Sequence, residues 1–333
     1  MQLHSNKLNL SKLPLLTADI LSWNRLKYLR ATLESAKRCI QYPNLEWIVI
    51  DNLSTEEGLR EYLESLDWVD QLIFLKSSHI EAMNEIIARA KGELLLLWPE
   101  DIQFIVEGDW MLDCAEILIS YPWIGSVVLV PLRNITVKKI WSLQRFLRWQ
   151  EFAHDFKKYG FSFRRQRILT SSRGFNFRSY GWVSDGIAGA GIVSLSRTQM
   201  WKKLGPWRIS NHTDFFDSSL GGETDMLFRY RKSKIVLQRV QSVLPVAADI
   251  IDDNIGTKAK IRANIRYGIY MTPPEGTFYY RIYKQNDVWQ LSQRKIPISF
   301  EEFVKPIGYK LPLDNRGNLL KAGINETCVT DIN

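Results

Sequence analysis

The sequence predicts an α/β protein built on a Rossmann-like, mostly parallel sheet flanked by helices. Three observations carry this. A wholly apolar run, Leu94-Leu-Leu-Leu97, lies between Gly92 and Pro99 and reads as a strand buried on both faces, the habit of parallel sheets. Short apolar runs alternate with stretches of helical period through residues 15–130. Two of those runs end in acids, Asp51 and Glu100-Asp101, at the carboxyl ends of strands, where open α/β sheets place their ligands.

Residues 15–23 form the first strand, and Asn24-Arg25 separates it from a helix with Leu26, Leu29, Leu33 and Ala36 on one face. Leu45 to Asp51 is the second strand. Ser54 and Glu57 have the spacing of a capping box and are expected to start the helix carrying Leu59, Tyr62 and Leu63. Leu72 to Leu75 is the third strand, and Ile80 to Ala90 a helix with Ala82, Met83, Ile86 and Ile87 apolar. The Leu run is the fourth strand, Gly108 to Tyr121 a helix, and Ile124 to Val130 the fifth strand; strands and helices at this spacing form right-handed βαβ units. Further on, residues 186–196 read as a glycine-rich approach to a strand, and Arg197 to Leu204 as a short helix stopped by Gly205-Pro206. Residues 221–229 open a helix with acids in its first turn, and Ile235 to Val240 is a strand. Beyond residue 250, among Pro273-Pro274 and Gly276, the period fades into an irregular C-terminal extension packed on the core.

With 333 residues, 45% of them hydrophobic and 24% charged, the chain has ample material for a core. Met1 to Lys12 is polar and mixed, unlike a secretory signal, and the uncharged run Ile117 to Leu132 is too short and too interrupted to span a bilayer. Cys39, Cys114 and Cys328 are odd in number and far apart, which argues for a reducing compartment and against a disulfide framework. A cytoplasmic protein, soluble or associated with the inner face of a membrane, is expected. The net charge of +8 is local: Arg133 to Arg178 holds twelve Lys/Arg and two acids, leaving the rest of the chain slightly acidic.

Several segments together resemble the family 2 glycosyltransferases. They are Ser22-Trp23-Asn24-Arg25, Asp51-Asn-Leu-Ser54-Thr, Ala82-Met-Asn84, Ala90-Lys-Gly92-Glu, Trp98-Pro-Glu100-Asp101, Gly189-Ala-Gly191 and Gly222-Glu223-Thr-Asp225-Met-Leu-Phe-Arg229, in the family's order across residues 14–240. The resemblance implies a GT-A fold in one domain, 1–250. Within it, 14–130 would be a nucleotide-binding half, 131–182 a basic, aromatic-rich insert and 183–250 an acceptor-side half; 251–333 is the extension. It implies a nucleotide-sugar donor and a glycan or lipid-linked acceptor, as in cell-envelope polysaccharide synthesis, with Ser22, Asn24, Arg25, Asp51, Asn84, Glu100 and Asp101 on the donor side.

In such enzymes an Asp-any-Asp motif holds a divalent cation, and here Glu100, Asp101 and Gln103 stand at its place with no second aspartate at the expected offset. Asp101 and Glu100, with Asp249 where relatives often carry a histidine, are the candidate ligands of Mg²⁺ or Mn²⁺, hard cations that accept carboxylate and diphosphate oxygens. Inverting transfer also needs a carboxylate to take the acceptor proton. Glu223 matches that base, with Asp225 supporting or replacing it. Gly189 and Gly191 would allow close backbone approach to donor sugar or acceptor, and Trp207 matches an aromatic position near the acceptor.

The insert is the least family-like part. Trp141 to Phe156 carries Leu143, Phe146, Leu147 and Phe156 at helical spacing with Arg145 and Arg148 among them, a pattern suited to an anionic membrane interface or to a solvated lid. Two competing readings remain: a GT-A-like scaffold that binds a glycan without turnover, and a nucleic-acid-binding protein. The second fares worst, because the basic charge is confined to the insert and no nucleic-acid-binding motif is present.

Overall fold

The computed structural model describes residues 2–4, 12–100, 102–104, 106–129, 168–179, 193–208, 225–226, 229–230, 233, 237–242, 246–249, 281–285, 288–293, 296–299 and 309–310. In chain order the elements begin with β1 (Gln2–His4), β2 (Leu16–Ser22), α1 (Leu26–Cys39), β3 (Leu45–Asp51), α2 (Leu59–Glu64), β4 (Gln71–Phe74) and α3 (His79–Arg89). There follow β5 (Leu94–Trp98), β6 (Ile102–Phe104), α4 (Trp110–Ser120), β7 (Ile124–Val128), β8 (Ile168–Thr170), β9 (Asn176–Ser179), β10 (Ser194–Arg197) and α5 (Thr198–Leu204). The remaining strands are β11 (Gln238–Ser242), β12 (Ala247–Asp249), β13 (Arg281–Gln285), β14 (Val288–Gln293) and β15 (Ile296–Ser299).

Ten strands form one sheet in the order β1-β8-β9-β11-β7-β10-β5-β2-β3-β4. The block β5-β2-β3-β4 is parallel throughout, its strands connected through the crossover helices α1, α2 and α3. Beyond it the sheet is mixed. The expected fifth strand, β7, does not lie beside the Leu run, because β10 enters between them and pairs antiparallel with both. The two halves expected from sequence therefore interlock in a single sheet.

The Leu run is buried on both faces, as its composition demands. Leu94, Leu96 and Trp98 join Ala18 and Ile20 of β2 against α1 and α4, through Leu29, Leu33, Met111 and Leu118. Leu95 and Leu97 join Ile48 and Ile50 of β3 against α3 and α5, through Met83, Ile86, Met200 and Trp201. Burial also pushes the thiols of Cys39 and Cys114 up, which keeps them in the inert neutral form.

Three expectations need correction. The capping box on Ser54 and Glu57 does not form: α2 starts after Gly58, at φ 77°, with no side-chain cap, because Ser54 is committed to the loop after β3. The capping box that does form is on α3, where Ser78 accepts from the Glu81 amide and Glu81 accepts from the Ser78 amide. Part of the supposed insert belongs to the sheet, since residues 168–179 make the hairpin β8–β9 on β11. One of its basic residues, Arg173, is turned onto fully buried Asp113. The extension, expected to be irregular, carries the antiparallel meander β13-β14-β15. The candidate membrane helix at 141–156 lies outside the described residues, among which no helix is long and apolar enough to cross a membrane.

Asp19 breaks the apolar pattern. It lies mid-way along β2 between Ile48 and Leu97 and is fully buried, and neither carboxyl oxygen has a partner among the described residues. Desolvation holds its pKa well above the usual carboxylate range, so the folded chain keeps it protonated where the unfolded chain ionises it. Its contribution is therefore most favourable below the unfolded carboxylate pKa of about 4 and is lost as pH rises toward the folded value. Asp19→Val should raise the unfolding free energy by about 1–3 kcal/mol at neutral pH. Urea unfolding at pH 5 and pH 8 checks this: the gap between variant and wild type should widen at the higher pH.

Candidate active site

The carboxyl ends of the parallel strands are aligned by register. Ser22 pairs with Asp51, Asp51 with Phe74, and Ile20 with Trp98, so the chain segments following β2, β3 and β5 leave the sheet side by side. Asn24, Arg25 and Leu53 in two of these segments have left-handed φ values of 56°, 62° and 45°. For residues other than glycine that conformation costs about 1–3 kcal/mol each and concentrates where function requires it.

A local network holds the strained loops. The Asn52 amide donates to the Ser22 carbonyl at 2.9 Å. Ser54 Oγ accepts from the Asn24 amide at 2.7 Å and donates to Asp51 Oδ2 at 2.5 Å, while its own amide donates to Asp51 Oδ1 at 2.8 Å. Asn24 Oδ1 accepts from the amides of Thr55 and Glu56 at 2.9 and 3.2 Å. Asp51 is only 1% exposed. A carboxylate has about four acceptor positions, and Ser54 fills two of them. Ser22 Oγ is buried without a partner among the described residues.

Glu100 joins the same rim. Its Oε2 accepts from the Trp23 amide at 3.0 Å, and its Oε1 pairs with Arg25 at 3.2 Å. Two large apolar side chains stand exposed here: Trp23 at 60% and Leu53 at 43%, on loops joined by the Asn52–Ser22 hydrogen bond. Sequence reasoning did not count either among the site residues. The available signal was a tryptophan just past a strand end that no apolar period required.

The segment leading on from Glu100 is fixed along both sides. On one, α1 presents a polar stripe: Thr32 Oγ1 lies 2.7 Å from the Glu100 carbonyl and 2.6 Å from the Ile102 carbonyl. Ser35 Oγ accepts from the Phe104 amide at 3.0 Å, and Arg38 pairs with Glu107 at 2.9 Å. On the other, β12 pairs antiparallel with β6 and sets Asp249 opposite Ile102. Asp101, one residue before Ile102, lies outside the described residues, as do the side chains of Gln103 and Asp249. Among the described residues no cluster of three potential metal ligands occurs.

The second half of the site is organised around residues 205–208. Asn84, expected to face the nucleotide sugar, directs both ends of its amide to Trp207, accepting from its amide at 2.7 Å and donating to its carbonyl at 3.0 Å. Trp207, expected to stack on an acceptor, is 2% exposed and stacks instead on Trp201 at 5.9 Å in the core. Asp225 is buried between two guanidiniums, Arg229 Nε at 2.6 Å and Arg208 Nε at 3.1 Å, and Arg229 also donates to the carbonyls of Leu204 and Pro206. Asp225 thus serves as an anchor for this loop. Glu223, Gly189 and Gly191 lie outside the described residues.

Removing the Thr32 hydroxyl should loosen the Glu100 end of the segment. Thr32→Val keeps the side-chain shape and leaves two carbonyls without that donor, at an expected cost of about 1–3 kcal/mol in urea unfolding. Unchanged stability would mean that other donors reach those carbonyls.

The sequence profile of the family described as Glycosyl transferase family 2 matches residues 20–187. A curated relative, "Uncharacterized protein y4gI" of Sinorhizobium fredii, is 29% identical over 119 residues, covering 34% of this chain and 13% of its own length. The chain therefore spans only about an eighth of that relative. Among solved structures, the mannosyltransferase PcManGT from Pyrobaculum calidifontis in complex with GDP-Man and Mn²⁺ is 12% identical, with a TM-score of 0.47 over 80% of this chain and 67% of its own. S. aureus TarS is 12% identical with a TM-score of 0.42, over 69% of this chain and 37% of its own. The family profile spans half of the sequence, and the chain belongs to glycosyl transferase family 2.

Proposed function

We propose that the protein is an inverting glycosyltransferase that moves a sugar from a nucleotide-sugar donor to a hydroxyl of a glycan or lipid-linked acceptor. The observation that carries this is the strained rim at the carboxyl ends of β2, β3 and β5, where Trp23 and Leu53 are exposed over a network that uses Asn24, Asp51, Ser54 and Glu100. Exposed apolar side chains on rigid loops suit a nucleobase. Asp51, buried and bonded to Ser54, shapes the loop that meets the nucleotide, and Arg25, oriented by Glu100, offers its charge to the diphosphate.

The donor chemistry fits a divalent cation. Asp249 stands opposite Ile102 in the β6–β12 register, Asp101 directly precedes Ile102 in the sequence, and aspartate oxygens suit Mg²⁺ or Mn²⁺. Glu100 fits less well, because its carboxylate already serves Arg25 and the Trp23 amide. When bound, the cation offsets negative charge on the departing nucleoside diphosphate. Glu223, two residues before Asp225 in the sequence, takes the acceptor proton. The acceptor oxygen then attacks the anomeric carbon as its bond to the diphosphate breaks.

A second reading, binding without turnover, draws support from the commitment of Glu100 to Arg25. A panel of UDP- and GDP-sugars, assayed for nucleoside-diphosphate binding and release with and without Mn²⁺, separates the two. Wild type should release diphosphate in a Mn²⁺-stimulated reaction. Trp23→Ala should weaken diphosphate binding about tenfold, as loss of one stacking contact implies. Glu223→Gln should bind normally and lose at least about a hundredfold in transfer rate. Full transfer by Glu223→Gln would refute the assigned base, and wild-type binding without release of any donor would favour the second reading.

A further inference from the structure

A second hollow lies at the opposite end of the parallel strands from the strained rim. It is a cavity of about 650 Å³ between the end of α1, the start of α4 and the turns that lead into β3 and β4. Leu45, the first residue of β3, borders it, whereas Asp51, the last, belongs to the rim. Six steps of about 3.3 Å along an extended strand put roughly 20 Å between the two. A sugar ring held in this cavity is too far off to react at the rim.

The wall of the cavity is a fixed aromatic assembly. Trp47 and Trp68 meet edge to face, with ring centroids 5.0 Å apart and planes at 78°. The Tyr42 hydroxyl donates to the Pro14 carbonyl at 2.8 Å. Asp70 Oδ2 accepts from the Trp47 amide at 2.7 Å and so ties the turn before β4 to β3. The wall is thus preformed, and the volume is that of small-molecule sites, about 300–1,000 Å³.

Around this wall stand polar groups that folding has not used. Asp70 Oδ1 and the exposed Gln41 amide have no hydrogen-bond partner among the described residues. The Lys37 ammonium lies 5.0 Å from the centroid of the Trp68 ring and has no carboxylate partner among them. An ammonium donates, a carboxylate accepts and a primary amide does both. The charges are matched, Lys37 against Asp70, while Asp109 at the edge is paired with Arg173. A phosphorylated ligand would meet two carboxylates, a polycation would meet Lys37, and an apolar ligand would strip water from all these groups without replacing it. Sugar hydroxyls both donate and accept, so a neutral saccharide satisfies the three free groups at once while its C–H face rests on the aromatic wall.

We propose that this cavity is a non-catalytic binding site for a neutral saccharide, in which Lys37, Gln41 and Asp70 hold hydroxyls against the wall of Tyr42, Trp47 and Trp68. The site is separate from the rim and does not rest on the proposed function. Joined to transfer activity, it keeps a glycan on the protein between transfers.

The test uses the full chain and reducing-end-labelled tetrasaccharides of glucose, mannose and N-acetylglucosamine, with binding followed by fluorescence polarisation. At least one should bind wild type and stay bound in excess UDP or GDP with Mn²⁺. Lys37→Met with Gln41→Ala, two changes at exposed positions, should weaken that binding at least about tenfold, as loss of one or two hydrogen bonds implies. Asp70→Asn, whose amide oxygen can still accept from the Trp47 amide, should weaken it in smaller measure. Affinity for UDP or GDP should stay within about twofold in both variants. Binding of none of the tetrasaccharides overturns the site, and so does wild-type saccharide affinity in both variants, which would seat the sugar elsewhere. Displacement of the saccharide by inorganic phosphate or by spermine assigns the cavity to a charged ligand and overturns it too. Saccharide binding that falls in the variants, without binding of either diphosphate, refutes the proposed function and leaves this site standing.

Discussion

The arrangement depends on how the segment 100–107 is held. A short strand outside the main sheet has two open edges, and each buried amide or carbonyl on it must find a partner. Here one side is met by the side chains of Thr32 and Ser35 on α1, and Arg38, one turn on, pairs with the Glu107 carboxylate. The other is met by the backbone of β12. This double hold follows directly on the end of the fully buried strand β5 and on Glu100.

The rim beside it is built on a different principle. Asn24, Arg25 and Leu53 accept unfavourable backbone angles, and the cost is met by hydrogen bonds that Ser54, Asn24 and Glu100 supply to the same loops. Those polar groups looked like ligand contacts in the sequence because they are polar and sit at strand ends. Most act on the protein's own backbone. What they leave facing outward is apolar, Trp23 and Leu53. The same exchange of roles recurs in the second half, where Asn84, Asp225 and Arg229 pin residues 204–208 and Trp207 disappears into the core.

Legibility followed the range of the forces involved. β3, the Leu run and the helices α1, α3 and α4 were readable because burial imposes a period along the chain, and their ends fell within a few residues of the expectation. β10 between β5 and β7 was not readable, since strand order depends on pairings across a hundred residues that leave no local mark. The meander in the extension escaped for want of a sustained alternation. Ser54 was misassigned because a serine before a helix satisfies the capping pattern whichever backbone group it finally serves. The polar stripe Thr32-Ser35-Arg38 was visible as residues, but its partner strand was not. Asp249 was named only through the family resemblance, and the register of β12 sets it opposite Ile102.

The proposed cation site, with Asp101 and Asp249 as its ligands, is open to direct measurement. Mn²⁺ affinity in the presence of UDP or GDP, read by electron paramagnetic resonance, should fall at least about tenfold in both Asp101→Asn and Asp249→Asn. Mn²⁺ binding by Asp249→Asn at the wild-type affinity would contradict the account.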